Sequence, residues 1–259
     1  MMKQNRIWVN EALDRRLEQG VMEEKKDFLS YVLKHKEEDT GMTDSEIRET
    51  SRTMITAGAE TTRTVLSMVT YCLLKNPNAM KRAKEEVRAA FKREEDINFT
   101  DAGMRLPYML ACLDEAMRLH PPVPSAFMSR KTPSATNHVV GGEVLPPNTT
   151  MVYHPLAAYT SSRNFHDPLS FRPERWLDER DGKFRNDDHG AFQPFSWGPR
   201  NCIGRNLAYS KMRIVLARVL WNFDFELCAK SEGWDEQMIL GFWIIKPLWV
   251  VVRERDEVV

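Results

Sequence analysis

Phe195-Ser-Trp-Gly-Pro-Arg-Asn-Cys-Ile-Gly204 is the stretch on which the reading of this chain turns. Gly198 and Gly204 punctuate a loop that must turn tightly, and Arg200 stands two residues ahead of a lone cysteine, Cys202. An amphipathic helix is predicted over residues 202–222, beginning near Arg205, with Leu207, Ile214, Val215, Leu216 and Val219 facing inward. Its unpaired N–H groups and its dipole favour a thiolate over a thiol at Cys202. A thiolate held this way is a nucleophile or a metal ligand. A nucleophile wants a general base beside it, and the loop supplies no histidine.

The ten residues fit Phe-x-x-Gly-x-Arg-x-Cys-x-Gly at every fixed position, and the stretch resembles the ligand loop of the cytochrome P-450 haem-thiolate monooxygenases. A buried structural cysteine beside a glycine-rich turn is the plainer alternative, but five matched positions in ten argue against it. The resemblance implies a mainly α fold with small β-sheets and a bound haem b (iron protoporphyrin IX). It also implies Cys202 as the axial iron ligand, with Phe195 and Gly204 beside it and Arg200 gripping a haem propionate. A cysteine thiolate on haem iron pushes electron density toward O–O cleavage.

Upstream, residues 154–201 are rich in proline and aromatics, with little periodicity. A stretch this long without elements is functional or disordered, and Phe165, Phe171, Trp176, Phe192, Phe195 and Trp197 argue that it is packed. Within it lies Phe171-Arg-Pro-Glu-Arg175-Trp. Further back, Pro107 opens a helix, Tyr108–His120, ended by Pro121-Pro122 and carrying Glu115-Ala-Met-Arg118. By itself the i,i+3 pair reads as a surface salt bridge of little value. The context resembles the family's Glu-x-x-Arg helix, which implies that Glu115, Arg118 and Arg175 form a buried network holding the fold. Between these motifs, residues 121–153 read as a small β-sheet. Arg130 lies on its first extended piece, and the resemblance implies a second propionate contact there.

The capping-box pattern Thr43-Asp-Ser-Glu46 predicts a long helix over residues 44–75, stopped by Asn76-Pro77. At the usual rise it would span roughly 48 Å, long enough to cross the centre of a domain. Its middle reads Ala57-Gly-Ala-Glu-Thr-Thr62. Gly58 costs about 1 kcal/mol against alanine in a helix interior, and close approach of a flat ligand would explain it. The segment resembles the family's oxygen-activation motif, which implies that Thr61 hydrogen-bonds dioxygen and Glu60 feeds protons to it. Residues 6–35 read as one or two helices with an apolar stripe of Ile7, Leu13, Leu17, Val21, Phe28, Val32 and Leu33. Residues 78–92 read as an amphipathic helix with i,i+4 Glu/Lys pairs. Residues 223–259 should hold two strands, Phe223–Cys228 and Gly241–Arg253.

Composition agrees with an ordinary globular chain: 259 residues, 42% hydrophobic and 29% charged. Lysine plus arginine and aspartate plus glutamate both number 37, which argues against general nucleic-acid binding. The cysteines at 72, 112, 202 and 228 show no zinc spacing and, with no signal peptide, read as reduced intracellular thiols. No window is apolar enough for a membrane span.

The order of the motifs matches the family from about residue 20 to 253, and the run Ala158–Pro168 resembles fungal members that oxidise terpenoids or polyketides. The implied function is hydroxylation or epoxidation of an apolar small molecule with O2 and electrons from an NADPH-cytochrome reductase-type flavoprotein, docking near Arg200, Arg205 and Lys211. A haem-thiolate isomerase or peroxide-driven enzyme is an alternative, and the intact Glu60-Thr61 pair speaks against it. The resemblance also implies that the domain is incomplete, its N-terminal half, anchor and pocket roof lying outside these residues. On that expectation the chain is a single incomplete domain that binds haem poorly, or a non-catalytic fragment of a split gene. It would be cytoplasmic, or at the cytosolic face of the endoplasmic reticulum if an anchored full-length form exists. Substrate contacts are expected from Met54, Ile55, Ser125–Phe127 and Phe242.

Overall fold

The computed structural model describes residues 2–22, 27–125, 129–178 and 182–255. It is mainly helical, with four small antiparallel two-stranded sheets among the described residues. The chain forms two compact units, Met1–Glu60 and Thr61–Val259.

The first unit holds helix α1 (Met2–Glu18), helix α2 (Phe28–Lys34) and the first part of helix α3 (Asp44–Lys75). The α3 start is capped as its sequence predicts. Glu46 Oε2 accepts from the Thr43 N–H and hydroxyl, both at 2.8 Å, and the Glu46 N–H donates to Thr43 Oγ1 at 3.3 Å. Asp27 caps α2, taking the Ser30 N–H at 2.7 Å and a two-pronged contact from Arg16 at 2.9 and 3.0 Å. That contact holds the Asp27 carboxyl well below the usual range. Arg52 Nε donates to Asn10 at 2.7 Å, and Arg48 pairs with Asp14. The expected apolar stripe is narrower than the sequence suggested. Val9, Leu13, Val32 and Ile47 are buried, whereas Ile7, Val21 and Phe28 are exposed. Helices that cross one another bury only the residues at their crossings, which an apolar stripe in the sequence cannot locate.

In the second unit, the last turns of α3 pack with helices α4 (Pro77–Ala90), α5 (Phe99–Met104), α6 (Pro107–Leu119) and α8 (Arg205–Asn222); the short α7 is Pro155–Tyr159. The core is built from Val69 and Leu73 of α3, Ala83 and Val87 of α4, Met109, Leu113 and Ala116 of α6, and Leu216 of α8. Neither Leu106 at the α6 N-cap nor Pro107 supplies a side-chain cap. Glu86 of α4 does so instead, accepting the Tyr108 and Met109 N–H groups at 2.8 Å each. The helix therefore does more than the surface pairing expected of it, although Lys81–Glu85 is such a pair at 3.8 Å. Lys84 and Arg88 reach Asp224 at 2.5 and 3.1 Å.

Three further expectations are corrected. Helix α8 begins at Arg205, with Cys202 in the turn before it, but its inner face is Met212, Leu216, Ala217 and Leu220 and not the expected one. Leu207 and Val215 are exposed, because a 3.6-residue period that buries 212, 216 and 220 turns 207 and 215 outward. The small sheet is two separate hairpins, β1 (Ser129–Lys131) with β4 (Thr150–Val152) and β2 (His138–Val140) with β3 (Glu143–Leu145). The predicted final strand is two pieces. β5 (Phe223–Leu227) pairs with β8 (Val250–Glu254), while β6 (Met238–Leu240) forms a hairpin with β7 (Phe242–Ile244). Pro247, which has no N–H for a ladder, lies between them. Among the described residues no helix is long and apolar enough to cross a membrane.

Candidate functional site

The Cys202 loop is closed by its own backbone. The Cys202 N–H donates to Phe195 O at 2.8 Å, and the Asn201 N–H donates to Gly198 O at 3.0 Å. Closure needs left-handed backbone at Ser196 (φ 63°) and Gly198 (φ 83°). A Cβ at Gly198 would meet nothing within 4 Å, so its glycine answers to the torsion and not to space. Gly204 is the α8 N-cap, and a Cβ there would stand 3.8 Å from Cys202 Sγ. The thiol is free and exposed. So are the apolar side chains beside it, Trp197 at 78% and Ile203 at 93%. Arg200 is exposed too.

Behind the loop, Phe195 packs against Tyr209 of α8, with ring centroids 5.0 Å apart and the ring planes tilted by 43°. The Tyr209 hydroxyl donates to Asp114 Oδ1 at 2.8 Å. Asp114 immediately precedes Glu115 on α6, so this brace is adjacent in the chain to a larger polar cluster.

That cluster joins Glu115, Arg118 and Arg175, each fully buried. Glu115 accepts from Arg118 Nε and Nη2 at 2.9 and 2.8 Å, from Arg175 Nε at 3.0 Å, from Trp176 Nε1 at 2.8 Å and from the Arg172 N–H at 2.9 Å. The remaining Arg118 donors go to the carbonyls of Tyr159 (2.6 Å), Pro168 (2.7 Å) and Ser170 (3.2 Å). A guanidinium has five N–H donors, and here each has an acceptor. Arg175 also binds Asp187 and the His166 carbonyl, the latter at 3.0 Å. Two buried cations are thus matched by two buried anions, the condition under which such charges are tolerated.

Asp187 is the member that the sequence reading missed. One glutamate against two buried arginines leaves an uncompensated charge, so a second carboxylate was called for. Seven acids from Asp167 to Asp188 could have supplied it, and spacing does not choose among them. The Asp114–Tyr209 brace carried no sequence signal beyond the two side chains themselves.

The other predicted residues are less gathered. Arg130, on β1, is exposed and donates to its neighbour's carbonyl, Ser129 O, at 3.1 Å. Its hairpin is tied to the meander by the Tyr153 hydroxyl, which donates to Ala191 O at 2.7 Å. Glu60 and Thr61 are half-buried on α3. Gly58 is exposed, and a Cβ there would meet nothing within 4 Å. Met54 and Ile55 are partly exposed at 38% and 36%. Ser125 Oγ donates to Gly241 O at 2.9 Å, which brings it beside the exposed Phe242. Ala126 and Phe127 lie outside the described residues.

A family model described as cytochrome P-450 matches residues 4–249. The chain is 46% identical over 245 residues to a trichothecene C-4 hydroxylase of Trichoderma arundinaceum, a match covering 93% of this chain and 49% of that protein. It is 46% identical over 235 residues to a cytochrome P-450 monooxygenase of Metarhizium robertsii, covering 89% and 45%. A monooxygenase of Penicillium canescens is 41% identical over 250 residues, covering 95% and 50%. The chain spans about half the length of the curated relatives it matches.

Proposed function

This chain belongs to the cytochrome P-450 family, and from that premise we propose that it is the haem-ligating part of a haem-thiolate monooxygenase acting on an apolar small molecule such as a terpenoid or polyketide. The observation that carries the reading is the free, exposed Cys202 thiol on a loop closed by its own backbone. The family binds haem b, and the donor set fits it. One thiol is a poor site for a bare ion, but it suffices for an iron whose other ligands come from a tetrapyrrole. Glycine at 204 keeps a methyl off the sulfur's flank. Trp197 and Ile203 offer apolar surface beside it.

Haem, when bound, supplies dioxygen binding and its reductive cleavage. The chain's own residues do the rest. Cys202 Sγ would hold the iron as a thiolate and supply it with negative charge. Arg200 is placed two residues away to grip a propionate, and Arg130 is a second candidate for that contact. Thr61 Oγ1 would offer a hydrogen bond on the side of the group away from Cys202, and the Glu60 carboxylate would hold a proton for delivery there. Electrons come from a flavoprotein reductase, for which the exposed Arg200, Arg205 and Lys211 provide basic surface. Glu115, Arg118, Arg175 and Asp187 hold the meander that presents the loop.

Weak haem retention by these 259 residues is expected, since the thiol and its apolar neighbours lie open to solvent and not in a closed pocket. Haem reconstitution followed by the ferrous–carbonyl spectrum tests both points. A partial thiolate-type Soret band is expected, lost in Cys202→Ser and kept in Cys228→Ser. Thiolate ligation surviving in Cys202→Ser would refute the ligand assignment, and a stoichiometric band would refute weak retention. In a catalytically competent form, Thr61→Ala should retain haem yet divert electrons to peroxide. Full coupling in that variant would remove Thr61 from the mechanism.

A further inference from the structure

A cleft of about 540 Å3 opens between α6 and the first three turns of α8, lined by Asp114, Arg205, Asn206, Tyr209, Ser210 and Arg213. Leu110 adds an apolar wall. Its size lies in the range of small-molecule sites, about 300–1,000 Å3.

Arg213 is the unusual residue. Its Nε is shut off from solvent and has no hydrogen-bond partner among the described residues. The guanidinium lies 5.0 Å over the Tyr209 ring. It also lies close to Gly103 of α5, where a Cβ would come within 3.1 Å of Nη1. The fork is therefore positioned by packing at the cleft wall, and its sealed Nε leaves the charge of Arg213 for the cleft, without a partner of its own among the described residues. Arg205 sits over the Phe195 ring at 5.9 Å. Among the described residues neither guanidinium reaches a carboxylate at ion-pair distance. Helix α8 opens with no side-chain cap and no acid in its first turn, so its free N–H groups add positive potential.

The lone acid of the cleft is Asp114. Facing it are Tyr209, Arg205 and Arg213 from α8 and Glu115 from its own helix. Burial pushes its carboxyl up to about 6, against the pull of the Tyr209 hydrogen bond and the two arginines. Near neutrality the cleft thus holds two fixed positive charges against one readily lost negative charge.

We propose that this cleft binds a phosphate-type oxyanion carried on a small organic group, held by Arg205, Arg213, Ser210 and Asn206. A planar guanidinium matches two oxygens of one phosphate. Two such forks with a hydroxyl and an amide offer more donors than the two oxygens of a carboxylate can use. The surplus volume beside Leu110 takes the organic part. None of this depends on haem, so the test uses the protein without it.

Calorimetric titration of the 259-residue protein with inorganic phosphate, phenyl phosphate and sulfate, against chloride at equal ionic strength, reads the site directly. Saturable one-to-one phosphate binding is expected, with phenyl phosphate tighter. Arg213→Gln should weaken phosphate by about tenfold or more, the loss of a charge-assisted contact. Arg218→Gln, outside the cleft, should leave it unchanged. Sulfate keeps its charge across the range, so its affinity isolates the protein's titration. It should rise from about pH 8 to about pH 5 as Asp114 gains a proton. Asp114→Asn should keep binding and abolish that slope. Phosphate heats equal to those of chloride would overturn the proposal, as would unchanged affinity in Arg213→Gln. If that variant does not fold, Arg205→Gln replaces it with the same expectation. Phenyl phosphate binding no tighter than inorganic phosphate would overturn the organic-ester part.

Discussion

The Glu115 network and the Cys202 loop were both named by short motifs, yet they end in opposite states. Around Glu115, two arginines and two acids are buried with every Arg118 donor used. Around Cys202 the backbone is closed, but the thiol and the flanking Trp197 and Ile203 face outward. The first region is completed inside the chain, and removing a part of it strands a charge in a dry interior. The second is a rigid display, whose side chains contribute little to the fold and are available to something else. Tyr209 joins the two, packing against Phe195 and bonding Asp114.

That contrast predicts a graded series of stability effects. Glu115→Gln should be the most damaging, since it leaves buried guanidiniums short of charge; breaking a buried pair costs about 3–5 kcal/mol. Urea denaturation would show it as a large fall in midpoint, and a loss below about 1 kcal/mol would mean that the network does not hold the meander. Asp187→Asn keeps the shape but removes one anion, and about 1.5–3 kcal/mol is expected, the value of a hydrogen bond to a charged group. A result equal to Glu115→Gln would show that the four residues act as one unit and not as a pair with an auxiliary.

Tyr209→Phe tests the connection between the regions, at about 1 kcal/mol near neutral pH for one lost hydrogen bond. It also carries a pH signature. The Asp114 carboxyl is raised in the fold to about 6 from its ordinary 3.8. The native state therefore binds more protons than the unfolded chain between those values. The contribution of Asp114 to stability is full below about 4 and falls as pH rises through about 6. The Tyr209 hydroxyl stabilises the carboxylate, so its removal should push the fall to higher pH. An identical pH profile in Tyr209→Phe would break the link. Cys202→Ser should be the mildest, within about 0.5 kcal/mol, as for most exposed positions. A loss comparable to Tyr209→Phe would mean that the thiol is structural and would erase the contrast.

Much of this was legible in the residues. The long helix was announced by Thr43–Glu46 at one end and Asn76-Pro77 at the other, because caps and stops are local chemistry. Glu115, Arg118 and Arg175 were recognisable by motif. The inner face of α8 was not, since Leu207 and Val215 look as apolar as Leu216. Asp187 was hidden among neighbouring acids for a related reason, as partner choice depends on where the meander folds back.

The sequence alone determined the family and the two ends of the long helix, because each of these is written in short runs whose spacing follows from backbone geometry. Tertiary structure alone decided which acid neutralises Arg175 and which face of α8 is dry. It also decided that Glu86 caps α6 and that Arg213 keeps a buried donor without an acceptor. Those are contacts between residues far apart in the chain, and their burial sets the electrostatic cost that no local pattern records.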